Sequence, residues 1–237
     1  MNDNLRILLW DIDGTLIRSL RIGAYKDYTI PVLEEIFGTS GQLSTMRVSG
    51  MTDLQIIAEA LRDEGYSHDD IRERIPEVSR RITEEARRVT GKGVPFFEVI
   101  DGVRETLEVL DRHPRYRSAL LTGNIETMAY LKMELVGLEK FFELPGAFGE
   151  SYDRKELPAL AAERIRVQLQ MNIPAEHFIV LGDTPNDIGC AQHFGARAVA
   201  IGTGRFYSHE DLLACEPDAF LPNLSDTNLV LETLGRL

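Results

Sequence analysis

The chain has 237 residues, 26 Lys and Arg against 38 Asp and Glu for a formal net charge of −12, and 43% hydrophobic residues. That is a soluble globular composition, apolar enough to fill a core without metal or disulfide staples and too apolar for intrinsic disorder. No stretch approaches the ~20 apolar residues that span a bilayer, no signal-like segment opens the chain, and an acidic protein is a poor electrostatic partner for nucleic acid, so a cytoplasmic protein without nucleic-acid or membrane partners is expected.

Leu5 to Trp10 is an apolar run broken only by Arg6, too short for a helix, that ends in Asp11-Ile12-Asp13-Gly14-Thr15. It reads as a buried strand delivering a loop. From 17 to 96 the pattern is helical, and no strand is expected there. Leu54, Ile57, Ala58 and Leu61 keep i, i+3, i+4, i+7 spacing before Gly65, Ser67 with Asp70 forms a capping-box start, and Ile75, Val78, Ile82, Ala86 and Val89 continue in steps of three and four. Gly91 to Pro95 reads as a linker, with Gly91-Lys92-Gly93 as a hinge. This segment holds 12 basic and 13 acidic residues, so nearly all the net negative charge lies outside it.

Beyond it, apolar runs at Ser118 to Leu121, Phe178 to Leu181 and Ala196 to Ile201 alternate with amphipathic segments at Gly102 to Leu110, Ile125 to Val136, Leu157 to Met171 and Ile188 to Phe194. Strands alternating with helices predict an α/β fold, a Rossmann-like parallel sheet with helices on both faces, formed by residues 1–16 and 97–237, with residues 17–96 as an all-helical insertion.

In such a sheet ligands bind at the C-terminal ends of the strands. Asp11 and Asp13 follow the first strand, Thr122, Gly123 and Asn124 the second, and Asp183 and Asp187 the third. Carboxylates crowded together repel unless a hard divalent cation lies among them, and an oxygen-rich cluster of this kind suits Mg²⁺.

Asp11-Ile12-Asp13-Gly14-Thr15-Leu16, Leu120-Leu121-Thr122-Gly123-Asn124 and Gly182-Asp183-Thr184-Pro185-Asn186-Asp187 resemble, in order and interval, the first, second and fourth signatures of the haloacid dehalogenase superfamily. The helical insertion is similar to its type I cap, and the nearest branch looks like the phosphoglycolate-phosphatase-like hydrolases. The resemblance implies Asp11 as a nucleophile that forms an aspartyl-phosphate and Asp13 as the general acid and base. It implies Mg²⁺ on the Asp11 carboxylate, the Asp13 carbonyl and Asp183, with Asp187 close by. Thr122, Gly123 and Asn124 would bind the phosphoryl oxygens, and Gly14 would let the backbone turn tightly around the nucleophile.

The third signature departs from the usual Lys followed by Pro-x-Pro: the stretch is Asp153-Arg154-Lys155-Glu156-Leu157-Pro158. Arg154 or Lys155 should supply its phosphate-binding cation, with Arg154 preferred. The expected activity is hydrolysis of small phosphorylated metabolites, with a sugar phosphomutase as the alternative within the superfamily and a phospho-accepting signalling or binding domain outside it. Gly50 to Asp53 has two readings, a loop that shows its backbone to the substrate and a simple helix cap. The scattered histidines, Cys190 and Trp10 are read as surface, packing and core residues.

Overall fold

The computed structural model describes residues 5–21, 23–91, 93, 95–149 and 151–237. Lys92 of the expected hinge lies outside the described residues. β1 (Arg6–Trp10) is apolar at consecutive positions because both of its sides are covered, and Ile7, Leu8, Leu9 and Trp10 are fully buried. It is followed by β2 (Ile17–Ser19), α1 (Lys26–Phe37), α2 (Asp53–Ala60), α3 (His68–Thr90) and β3 (Phe97–Val99). Then come α4 (Val103–Arg112), β4 (Tyr116–Leu120), α5 (Glu126–Val136), α6 (Leu157–Leu169), β5 (Phe178–Gly182) and α7 (Pro185–Phe194). β6 (Arg197–Ile201), α8 (His209–Leu213), β7 (Ala219–Leu221) and α9 (Thr227–Gly235) complete the chain.

Five strands form a parallel sheet in the order β4-β1-β5-β6-β7. Alternate residues point to opposite faces: Leu8, Trp10, Ile179 and Leu181 pack with α4, α5 and α9, whereas Ile7, Leu9, Phe178 and Val180 pack with α6 and α7. The chain runs from β1 to one side for β4 and then crosses to the other side for β5. The C-terminal end of β1 is therefore a topological switch point, where the flanking connections diverge and leave a crevice.

A third apolar cluster joins α1, α2 and α3 through Val32, Leu33, Ile57, Ile71, Val78 and Ile82, and it also takes in Ile125, Met128 and Leu131 of the α5 region. α5 thus has two apolar faces, one against the sheet through Ala129 and Met133 and one against the inserted helices. Ser67 and Asp70 form the expected capping box at the start of α3.

The expectation of no strand over 17–96 is corrected at its edge, because Ile17–Ser19 pairs antiparallel with Phe97–Val99 in a two-stranded ribbon where the chain leaves and re-enters the sheet region. Three-residue strands are too short to show an alternating pattern. Among the described residues, no helix is long and apolar enough to cross a membrane.

Candidate active site

The site is built from three strand ends. The Asp11 N–H donates to Leu181 O at 2.9 Å, which ties the first loop to β5. Gly14 turns that loop with φ of 97°, and a Cβ there would stand 2.3 Å from Asp183 Oδ2, so only glycine lets the loop lie against that carboxylate. The Thr122 N–H donates to Ala147 O at 3.1 Å, fixing the loop after β4. After β5, Thr184 and Asp187 cap α7: the Thr184 N–H and hydroxyl donate to Asp187 Oδ2 at 3.0 and 2.7 Å.

These loops bring Asp11, Asp183 and Asp187 together, all buried, with one oxygen of each within 4.8 Å of the others. Buried Arg154 faces them: its Nη2 donates to Asp11 Oδ1 at 2.8 Å and to Asp187 Oδ1 at 2.5 Å. Lys155 is exposed, with its backbone N–H donating to Asp153 Oδ1 at 2.9 Å, and it does not line the cavity. Between the two candidate cations of the third signature, Arg154 stands among the aspartates and Lys155 does not.

Burial, and then the charge of Asp187, push the Asp11 carboxyl up to about 7 despite Arg154. Burial and Asp11 likewise raise Asp183 well above the usual carboxylate range. For Arg154 burial opposes the charge, and Asp187 and Asp11 more than offset it, so the guanidinium stays protonated. Three buried carboxylates against one guanidinium leave an excess of negative charge on hard oxygen donors, a donor set that fits a divalent cation of the Mg²⁺ type.

Asp13 does not join this cluster. Its Oδ2 accepts from Asn124 Nδ2 at 2.8 Å and from Lys132 Nζ at 2.6 Å. The Asn124 side chain and N–H also donate to Thr122 Oγ1 at 2.7 and 3.3 Å, which leaves the Thr122 hydroxyl proton for another acceptor. The Gly123 N–H has no acceptor among the described residues.

Sequence reasoning missed Lys132, a buried cation within the run Met128-Ala129-Tyr130-Leu131-Lys132-Met133 of α5. A lysine that interrupts apolar residues two turns after a signature loop was the available signal. Thr15, whose hydroxyl donates to Asp183 Oδ1 at 3.2 Å, and Thr203, whose hydroxyl donates to Gly14 O at 2.6 Å, were missed as well.

The inserted helices meet this site along Gly50 to Leu54. Thr52 caps α2 by accepting from the Gln55 N–H at 3.1 Å, and its hydroxyl donates to Ser151 O at 2.7 Å. Gly50 O accepts from Asn186 Nδ2 at 2.7 Å, and the Asp53 and Leu54 amides donate to Gly123 O and Gly149 O at 2.7 and 3.2 Å. Asp53 Oδ2 accepts from the Ile125 N–H at 2.8 Å. A Cβ on Gly123 would fall 2.1 Å from Met51 O, so the close approach of the two segments depends on that glycine.

Within Gly50 to Asp53, Thr52 caps the helix, and Gly50 and Met51 wall a cavity of about 330 Å³. Its floor carries Asp11, Asp13, Thr122, Arg154 and Asp183, and Arg18, Arg21, Lys26, Arg47 and Arg205 also line it. An otherwise acidic protein thereby presents several cations along this cavity, beside the carboxylates of its floor.

Residues 8–201 match the family model for haloacid dehalogenase-like hydrolases. A phosphoglycolate phosphatase from Pseudomonas syringae pv. tomato is 24% identical over 216 residues, 91% of this chain and 75% of that protein. In fold the chain is similar to the crystal structure of CbbY from Rhodobacter sphaeroides in complex with phosphate, with TM-score 0.66, 18% identity, and 94% of this chain and 96% of that one covered. It is also similar to a Thermotoga maritima protein assigned as a β-phosphoglucomutase, with TM-score 0.59, 22% identity, and 96% and 99% covered. With a family match that begins in β1 and ends in β6, enclosing every strand end that builds the site, the chain belongs to the haloacid dehalogenase-like hydrolases.

Proposed function

We propose that the protein is a Mg²⁺-dependent phosphatase that hydrolyses small phosphate monoesters through an aspartyl-phosphate on Asp11. The observation that carries this reading is the buried Asp11 carboxylate at the switch point, flanked by Arg154 and opening on a small cavity shared with Asp13 and Thr122. An oxygen of Asp11 attacks phosphorus as the bond to the leaving oxygen breaks, and Asp13 gives that oxygen a proton. Water then attacks the aspartyl-phosphate, Asp13 takes a proton from it, and phosphate and Asp11 are released.

The Thr122 hydroxyl proton and the Gly123 N–H donate to the phosphoryl oxygens, and Arg154 neutralises them together with Asp11. Asp11 and Asp183 would hold the cation, with the Asp13 carbonyl. Asp187, whose oxygens are engaged by Thr184 and Arg154, supports them from behind. When bound, Mg²⁺ supplies the positive charge that lets an anionic carboxylate meet an anionic phosphate. The inserted helices cover the cavity and limit it to small substrates.

The test is a panel of phosphate monoesters with and without Mg²⁺, ranked by kcat/KM for phosphate release. Turnover with Mg²⁺ that EDTA removes is expected, and no phosphate release from any ester would overturn the reading. Phosphoryl transfer to a sugar without release would point to a mutase, and a long-lived phosphoenzyme without turnover to a phospho-accepting domain.

The same preparation has an expected pH signature. The folded-state pKa of Asp11, about 7 without metal, lies above its ordinary value, so the folded chain holds a proton that the unfolded chain has lost. The associated stability is fully present below the ordinary carboxylate value, about pH 4, and is lost as pH climbs to the folded-state value, so metal-free Tm should fall between about pH 4 and pH 7 and level off above that. Mg²⁺ should raise Tm more at the higher pH, where no proton competes for Asp11. A Tm indifferent to both pH and Mg²⁺ would contradict the metal assignment.

A further inference from the structure

We propose that Lys132 is a positioning residue for Asp13: with Asn124 it pins one oxygen of that carboxylate so that the other faces the leaving group. The inference rests on the phosphatase reading and assigns a part to a residue outside the signature loops. Lys132 lies in the second turn of α5, between the sheet and the inserted helices, and its side chain is only 4% exposed where that of Asp13 is 42% exposed. A buried ammonium is costly unless paired, and an apolar residue would suit a helix whose neighbours Leu131 and Met133 are core. The lysine bonds one carboxylate and one amide at the mouth of the crevice, and its charge is also felt by the buried Asp53 carboxyl.

The contacts form a closed triangle. Lys132 Nζ donates to Asp13 Oδ2 at 2.6 Å and to Asn124 Oδ1 at 2.6 Å, and Asn124 Nδ2 donates to the same Asp13 Oδ2 at 2.8 Å. The Phe97 ring of β3, with its centroid 5.6 Å from Nζ, also packs against the ammonium. Every side-chain bond of Asp13 among the described residues falls on Oδ2, so Oδ1 is left free on a residue that lines the cavity.

An exposed carboxylate on a loop otherwise rotates among rotamers, and two donors on one oxygen select a single orientation. The Asn124 link to Thr122 Oγ1 places the proton-transfer group and a phosphoryl-oxygen donor on one network, so their separation is set together.

The test compares parent, Lys132→Met and Lys132→Arg on a primary alkyl phosphate, whose leaving group needs a proton, and on p-nitrophenyl phosphate, whose leaving group needs little help. Lys132→Met should lose about 30-fold or more in kcat on the alkyl ester and less than about threefold on the nitrophenyl ester, with KM within about twofold for both. Lys132→Arg keeps a donor and should recover part of the alkyl turnover. If Lys132→Met does not fold, Lys132→Arg carries the same comparison, with a smaller loss confined to the alkyl ester.

Crystal structures of parent and folded variant give a readout free of activity, with Asp13 in one rotamer in the parent and spread over several in the variant. Equal losses on the two esters, or full alkyl turnover with Asp13 unmoved, would overturn the proposal. If the parent turns over neither ester, the Asp13 rotamers alone decide whether Lys132 positions it, while the phosphatase reading stands or falls on the wider ester panel.

Discussion

Replacing Asp11 by asparagine should abolish measurable turnover, a loss of at least about 10³- to 10⁴-fold, because an uncharged amide oxygen is too weak a nucleophile to attack phosphorus. Phosphate release and intact-protein mass after a substrate pulse check it, and the phosphoryl adduct should vanish with the turnover. The same change should stabilise the metal-free fold. Burial and the charge of Asp187 raise the cost of ionising Asp11, and Asp11 in turn raises that of Asp183. An asparagine of equal size removes one of the crowded charges while still offering Arg154 an oxygen. Higher Tm without Mg²⁺, a smaller response to Mg²⁺ and no catalysis are expected together. Retained activity on any ester would remove Asp11 from the mechanism.

Arg154→Ala should be the next most severe change. The guanidinium is the cation bonded to both Asp11 and Asp187, and its loss leaves three buried carboxylates uncompensated. Breaking a buried pair from one side costs about 3–5 kcal/mol, and losing a charged donor to the phosphoryl group costs a further 10²- to 10³-fold or so in kcat. Arg154→Lys should fall between, since a single ammonium cannot reproduce the planar fork. Lys155→Ala should change kcat/KM by less than about twofold, as expected for an exposed side chain. Thermal denaturation and kcat/KM on the best ester measure both, and a Lys155→Ala defect as large as that of Arg154→Ala would reverse the assignment.

The difference between these neighbours shows what the sequence could and could not reveal. Asp11, Thr122 and Asp183 were legible because each ends a run of apolar residues, and a parallel sheet carries such residues to one edge. Arg154 and Lys155 precede a helix with no strand to fix their direction, and only the three-residue turn Arg154–Glu156, capped by Asp153, determines which side chain points inward. The short ribbon of β2 and β3 and the single strand β7 have three residues each, too few for a period to emerge. α1 falls within the stretch expected to be helical, but its bounds were blurred by Pro31 within it and by Tyr28 and Thr29 among its buried residues. Lys132 was hidden for a different reason: its value lies in a partner 119 positions away.

The seam at Gly50 to Leu54 gives the protein a built-in reporter. Separation of the helices from the sheet must free the Asp53 and Leu54 amides from Gly123 O and Gly149 O. In the closed form those two N–H groups are shielded by the opposing chain, so deuterium enters them only during the fraction of time the seam is apart. Their exchange rates, set against those of the β1 amides, would separate cracking of the seam from unfolding of the whole chain. A phosphate analogue held between the two sides should slow exchange at Asp53 and Leu54 first, giving occupancy of the crevice residue by residue without any turnover.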